Sequence, residues 1–218
     1  MTPRLHGYWR STASYRVRIA LALKGVGHEQ VTHDLRTGAQ RAPAFLALNP
    51  QGLVPALELD GEREGEAAVL TQSPAILEWL DEVYPQTPLL PGDALGRATV
   101  RAMAGLICCD IHPLNNLRVL QALRQDFGAS ESQVSAWIAR WIGMGFDALE
   151  VLIARHGGDF AFGDAATLAD CCLIPQVYSA ERFGIDLAPW PAIARITARC
   201  AALEPFRRAH PAEQSDAD

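Results

Sequence analysis

No run of this sequence is long and apolar enough to cross a bilayer, so a chain anchored by a spanning helix is not expected. The opening stretch, MTPRLHGYWRSTAS, lacks the apolar core of a secretory signal, and the expected location is the cytoplasm. Positive charge is short as well. Against 25 Asp and Glu stand 19 Lys and Arg, for a formal net charge of -6, which argues against a general nucleic-acid surface. The five cysteines are Cys108, Cys109, Cys171, Cys172 and Cys200, an odd count with two adjacent pairs, which makes a poor disulfide framework. No CxxC and no ordered Cys/His spacing appears, so reduced thiols and no metal are expected. Internal repeats are missing too.

What the sequence does contain is apolar substance: hydrophobic residues make up 49% of 218, enough for one or two cores. RLHGYW reads as a strand and SYRVRIALALKG as a helix, with Gly25 placed to end it. HEQVTHDL follows as a second strand, and APAFLALNP as a helical turn closed by Pro50. LVPALEL and EAAVLTQ form a hairpin across DGEREG, antiparallel because so short a connection cannot make a parallel crossover. SPAILEWLDEVYP is a helix with Ser73 as its N-cap and Pro74 at the first helical position. The order β-α-β-α-β-β-α is complete by residue 86, and a Pro/Gly-rich linker covers 87–94. Residues 95–218 read as helices throughout, interrupted at His112-Pro113, with a fraying tail. The expected fold is therefore a small α/β domain followed by an all-α domain.

Three places in the first domain put polar groups where a strand gives way to a helix or starts a hairpin. RSTAS packs hydroxyls at the entrance of the first helix, for capping or for holding an anion or thiolate. Val54-Pro55 opens a strand with a proline that has no ladder donor; a trans strand-start proline and a cis bond both fit. Gln72-Ser73 begins the third helix, where hydroxyl and free N–H groups can cap the helix or grip a carboxylate. Together the three suit a short peptide with a carboxylate at one end and a reactive group near Ser11. Thr167 and Asp170 have the spacing of a capping box, so Asp170 is expected to be structural.

The order SxxSxRxRIAL, LNPQGLVPAL, QSPAILEWL and FGDAATLADCCLIPQ resembles the zeta class of glutathione transferases over nearly the whole chain, in particular the bacterial maleylpyruvate isomerases of gentisate catabolism. That resemblance implies a thioredoxin-like domain over 1–86, a transferase-type helical domain over 95–218, a homodimer and bound glutathione. It makes Val54, before a cis Pro55, the backbone partner of glutathione, and assigns Gln72 and Ser73 to its γ-glutamyl carboxylate. Gln51 joins them, and Ser11 stands near the thiol. Asp110, His112 and Asn116 lie in a helical segment that, in similar dimers, approaches the cofactor. Arg10, Arg182 and Arg118 are the implied carboxylate contacts of a small dicarboxylate substrate. Arg16 and Arg18 are read as structural, pairing or snorkelling on their helix.

One departure from the pattern matters. Where typical members read SSCxWRVRIAL, this chain reads STASYRVRIAL, so Ala13 replaces the motif cysteine. The implied chemistry is a cis–trans isomerisation of maleylpyruvate to fumarylpyruvate, with glutathione supplying the only thiolate. Maleylacetoacetate isomerisation remains open, as does a zeta-class transferase acting on small α-halo acids.

Overall fold

The computed structural model describes residues 2–63 and 66–218, and the side chains of these save 60–63, 66 and 67. The chain divides into two compact units. One runs to Pro88 and resumes over Ala202–Asp218; the other is Leu89–Ala201.

The first unit is built on β1 (Arg4–Gly7), α1 (Thr12–Lys24), β2 (Glu29–Thr32), α2 (Pro43–Leu48), β3 (Ala56–Arg63), β4 (Glu66–Thr71) and α3 (Ser73–Val83). The sheet order is β2-β1-β3-β4. β1 and β2 are parallel, with Leu5 opposite Gln30, and α1 supplies the crossover that a parallel pair requires. β3 runs antiparallel to both neighbours, with Leu57 opposite Leu5 on one side and Leu70 on the other. The polar segment DGEREG, expected as the hairpin turn, lies partly outside the described residues. α1 starts at Ser11, whose Oγ accepts from Ser14 N at 3.2 Å. It ends at Gly25, whose φ of 68° is open to glycine at little cost.

α1 is enclosed on all sides: Tyr15, Val17, Ile19 and Leu21 are buried, and so are Arg16 and Arg18 at 2% exposure each. These arginines therefore do not snorkel. Arg18 instead spends its guanidinium on backbone, with Nε to Ala209 O at 3.0 Å and Nη2 to Trp9 O at 2.9 Å. That bond helps explain why the end of the chain joins this unit. α9 (Glu204–Ala209) packs on α1, and Trp9 N donates to the Asp216 carboxylate at 3.1 Å. The tail expected to fray is thus tied down, and Ala202–Asp218 does not extend the helical unit. Lys24, its side chain fully buried, pins α1 to α3 through Asp81 at 2.7 Å and Tyr84 O at 2.8 Å.

The second unit holds α4 (Ala94–Gly105), α5 (Leu117–Gln125), α6 (Glu131–His156), α7 (Leu168–Arg182) and α8 (Pro191–Ala201). α4 is capped by Asp93 and runs into a π-helical turn over Leu106–Ile111, then a 3-10 turn over Pro113–Asn115. The interruption at His112-Pro113 follows from the proline, which has no N–H to continue the ladder. Gly145 on α6 lets the π-turn approach, since a Cβ there would collide with Ile111. Met103, Ile107, Ile142, Phe146, Leu149 and Cys171 are among the buried core residues. Asp170, fully buried, accepts from Ala161 N at 2.8 Å, Thr167 N at 2.8 Å and Thr167 Oγ1 at 2.9 Å, the structural use its spacing predicts. No described helix is long and apolar enough to cross a membrane, and the described residues hold no cluster of three or more His, Cys, Asp or Glu suited to a metal.

Candidate functional site

In the first unit, the segment between α2 and β3 is shaped by a buried asparagine. Asn49 Nδ2 donates to Leu53 O at 2.7 Å and its Oδ1 accepts from Gln51 N at 3.1 Å. Gly52, at φ 63°, turns the chain where a Cβ would press on Gln40 O and Leu46. The loop delivers half-buried Val54 to the start of β3, ahead of Pro55 in a cis peptide. Ladder pairing then begins at Ala56, opposite His6 and Thr71.

β4 leads straight into the second part of the site. Gln72 has φ 67°, the one positive value at a non-glycine among the described residues. A side chain held in that sparsely allowed region costs energy that the surroundings must offset, and such outliers gather at functional sites. Its amide Nε2 donates to Gln51 Oε1 at 2.7 Å, so two residues distant in sequence meet at the start of α3. Ser73 differs from its sequence expectation: Gln72, not Ser73, is the N-cap of α3, and no side chain caps it. The Ser73 hydroxyl accepts from Arg16 Nη1 at 3.2 Å instead. The first intrahelical bond on this turn runs from Ile76 N to Gln72 O, leaving the earlier N–H groups at the helix mouth with the partial positive charge of a helix start.

The third part is the start of α1. Thr12 and Ser14 are buried at 7% and 0% exposure, while Ser11 is partly exposed, so Ser11 is the reachable hydroxyl of the knot. Its oxygen accepts from Ser14 N, and its own proton remains to be donated. Arg10, half-buried, lies over the Trp9 ring at 5.5 Å. Arg16 joins the third and second parts physically, because it leaves α1 and ends on Ser73 of α3. Sequence reasoning missed both Asn49 and Arg16 as builders of the site; the only sign was a buried-type helix carrying arginines.

In the second unit, Asp110 is an exposed residue of the π-turn and His112, half-buried, follows it, with its N–H bonded to Ile107 O. Asn116 is engaged as the N-cap of α5, its Oδ1 accepting from Arg118 N at 3.2 Å. Arg118 is exposed on that helix. Arg182 ends α7 with its guanidinium over Tyr178 at 5.7 Å and Phe183 at 5.6 Å.

Residues 10–83 match the model of the glutathione S-transferase N-terminal domain. The chain is 52% identical over 215 residues to a maleylpyruvate isomerase of Ralstonia, covering 98% of this chain and 99% of that one. It is 54% identical over 215 residues to a maleylacetoacetate isomerase of Pseudomonas aeruginosa, covering 98% of each. Among solved structures, a holo maleylpyruvate isomerase described as a bacterial zeta-class glutathione S-transferase superposes with a TM-score of 0.93 at 51% identity, over 99% of this chain and all of that one. The maleylacetoacetate isomerase of Anaeromyxobacter dehalogenans, with glutathione in its active site, gives 0.90 at 45% identity over 100% and 98%. With relatives of this identity along its whole length, the chain belongs to the zeta class of the glutathione transferase family, closely related to the maleylpyruvate and maleylacetoacetate isomerases.

Proposed function

We propose that the protein is a glutathione-dependent cis–trans isomerase that converts maleylpyruvate to fumarylpyruvate. The observation that carries the reading is the strained Gln72, bonded to Gln51 at the mouth of α3. Such a mouth suits the γ-glutamyl carboxylate, and the backbone of Val54, ahead of Pro55 and outside the ladder, suits an extended peptide backbone. When bound, glutathione supplies a thiolate that adds reversibly to the cis double bond and leaves after rotation.

The chain's own residues hold and tune. Ser11 donates its hydroxyl proton toward the sulfur, and the start of α1 favours negative charge there. Gln72 and Ser73 hold the carboxylate; Gln51 buttresses Gln72. Arg10 and Arg182 are the proposed carboxylate contacts of the substrate, with Arg118 a further one, and Asp110, His112 and Asn116 remain proposed cofactor contacts. Assembly as a homodimer is part of the same reading. Maleylacetoacetate is the second reading, since the relatives of near-equal identity carry both names.

The test offers both acids with catalytic glutathione and follows isomerisation and thiol loss together. Isomerisation without net thiol loss is expected, with the higher kcat/KM on maleylpyruvate. The two acids differ by one methylene, which discriminates by roughly 1–3 kcal/mol, so moderate cross-activity is expected. A strong preference for maleylacetoacetate exchanges the two readings, and thiol consumption with α-halo acids in place of isomerisation turns the protein into a transferase. Arg182→Met should lower kcat/KM on both acids and leave glutathione affinity alone; unchanged efficiencies remove Arg182 from the site.

Ser73→Ala should weaken glutathione binding by about 10-fold or more, because a hydrogen bond to a charged group contributes roughly 1.5–3 kcal/mol. Calorimetry on the folded variant reads this directly, and an unchanged Kd takes Ser73 out of the carboxylate site.

A further inference from the structure

Arg16 is an anomaly in its own helix. It is 2% exposed, its Nη1 reaches Ser73 Oγ at 3.2 Å, and its Nε and Nη2 have no hydrogen-bond partner among the described residues. Beside it, Arg18 engages backbone carbonyls and Lys24 has Asp81. A buried guanidinium whose remaining donors go unanswered is costly, and it raises the affinity of its surroundings for negative charge. The hydrogen-bond partner of the Arg16 guanidinium among the described residues is the serine at the mouth of α3, an eleven-residue helix whose first N–H groups already favour an anion.

The direction of the Arg16–Ser73 bond matters chemically. Arginine can only donate, so the Ser73 oxygen must accept. With that lone pair taken, the Ser73 hydroxyl proton is directed away from Arg16. A hydroxyl that could otherwise turn its lone pair or its proton toward an incoming group is thereby set as a donor, the polarity a carboxylate needs.

We propose that Arg16 is a positioning residue for the α-carboxylate of the γ-glutamyl unit, fixing the Ser73 hydroxyl as a donor and placing a buried positive charge behind the first turn of α3. This rests on the glutathione reading above. It assigns Arg16 a recognition role in place of the purely structural one expected from sequence. Arg16 touches neither the sulfur nor the double bond, and its effect passes through Ser73.

The experiment measures binding of glutathione and of 4-aminobutanoyl-cysteinylglycine, which lacks only the α-carboxylate, to the whole protein by calorimetry. The parent should prefer glutathione by about 10-fold or more, the range set by one charge-assisted bond. Arg16→Gln should bind glutathione about 10-fold to 100-fold more weakly and bind the decarboxylated peptide as the parent does. A parent that binds neither peptide overturns the glutathione reading itself, and this inference with it. A parent that binds glutathione, beside an Arg16→Gln variant that keeps the full preference, overturns the inference alone. An equal loss for both peptides does the same, since it marks a structural residue. If Arg16→Gln does not fold, Arg16→Met, which removes both the charge and the donor at similar length, decides by the same ratio: a reduced preference supports the proposal and the parent's preference overturns it.

Discussion

Asp170→Ala should destabilise the helical unit by about 3–5 kcal/mol, a large share of the stability of an ordinary domain. The carboxylate is fully buried and serves three donors: Ala161 N, Thr167 N and Thr167 Oγ1. Alanine leaves all three inside the protein without an acceptor, at roughly 1–3 kcal/mol each before relaxation. Urea denaturation followed by far-UV dichroism gives the difference; a loss below about 1 kcal/mol would mean that the hub is dispensable. Burial pushes the Asp170 carboxyl up to about 6 from an ordinary 3.8. The sign follows from proton binding. Between those values the native state holds a proton that the unfolded chain has lost, so this group makes stability fall as pH rises through the window, by about 3 kcal/mol at most. Asp34, Glu58 and Glu131 are held below the usual carboxylate range by Arg36, His6 and Arg124 respectively and act in the opposite sense. The contribution of Asp170 is therefore read as the difference between the parent's pH profile and that of Asp170→Asn, which should lack the downward slope from about pH 4 to about pH 6.

The parts of this fold that were legible in the sequence are those set by local chemistry. Gly25 closes α1, Pro113 breaks the helical run after α4, and the Thr167–Asp170 spacing lies at the start of α7; each acts through its own backbone or a neighbour's. The antiparallel pairing of β3 with β4 followed from the short link between them, which cannot make a parallel crossover. The misses are long-range. Ser73 reads as an N-cap because serine before proline usually is one, but β4 delivers Gln72 in a left-handed conformation and shifts the cap back by one residue. Arg16 and Arg18 read as structural residues that pair or snorkel on their helix; nothing local announces that they will be buried and bond to Ser73 and to backbone near α9. The tail looks frayed for the same reason, as its anchors, Arg18 and Trp9, lie at the far end of the chain. The residues taken from family resemblance in the helical unit form a separate case. Asn116 has a local use as the cap of α5, and the roles of Asp110, His112 and Arg118 depend on what binds beside them.

Protein freed of small thiols should isomerise neither acid above the uncatalysed rate, and glutathione in catalytic amount should restore full turnover with no net thiol loss. The expectation follows from where sulfur stands in this molecule. Ala13 occupies the place in the α1 entrance where typical family members carry cysteine, and every cysteine of the chain belongs to the helical unit. Cys171, Cys172 and Cys200 are buried, and burial pushes the Cys200 thiol up, away from the thiolate that attack requires. Cys108 lies with its sulfur 3.6 Å from that of Cys172, leaving Cys109 as the exposed thiol. A Cys109→Ser variant with undiminished glutathione-supported turnover would exclude the exposed thiol as a second source. A free thiol near pKa 8.5 is only a few per cent ionised at pH 7, and lowering that pKa by two units is worth about 2.7 kcal/mol. On the proposed reading Ser11 and the start of α1 would do it, acting only on a sulfur held at that spot. A simple thiol such as 2-mercaptoethanol has no carboxylate for Gln72 and Ser73 and no backbone for Val54, so at equal concentration it should restore little of the lost rate. Full activity in rigorously thiol-free buffer, or equal rescue by 2-mercaptoethanol and glutathione, would sink the mechanism: the first by locating the nucleophile in the protein, the second by making the whole peptide site irrelevant to turnover.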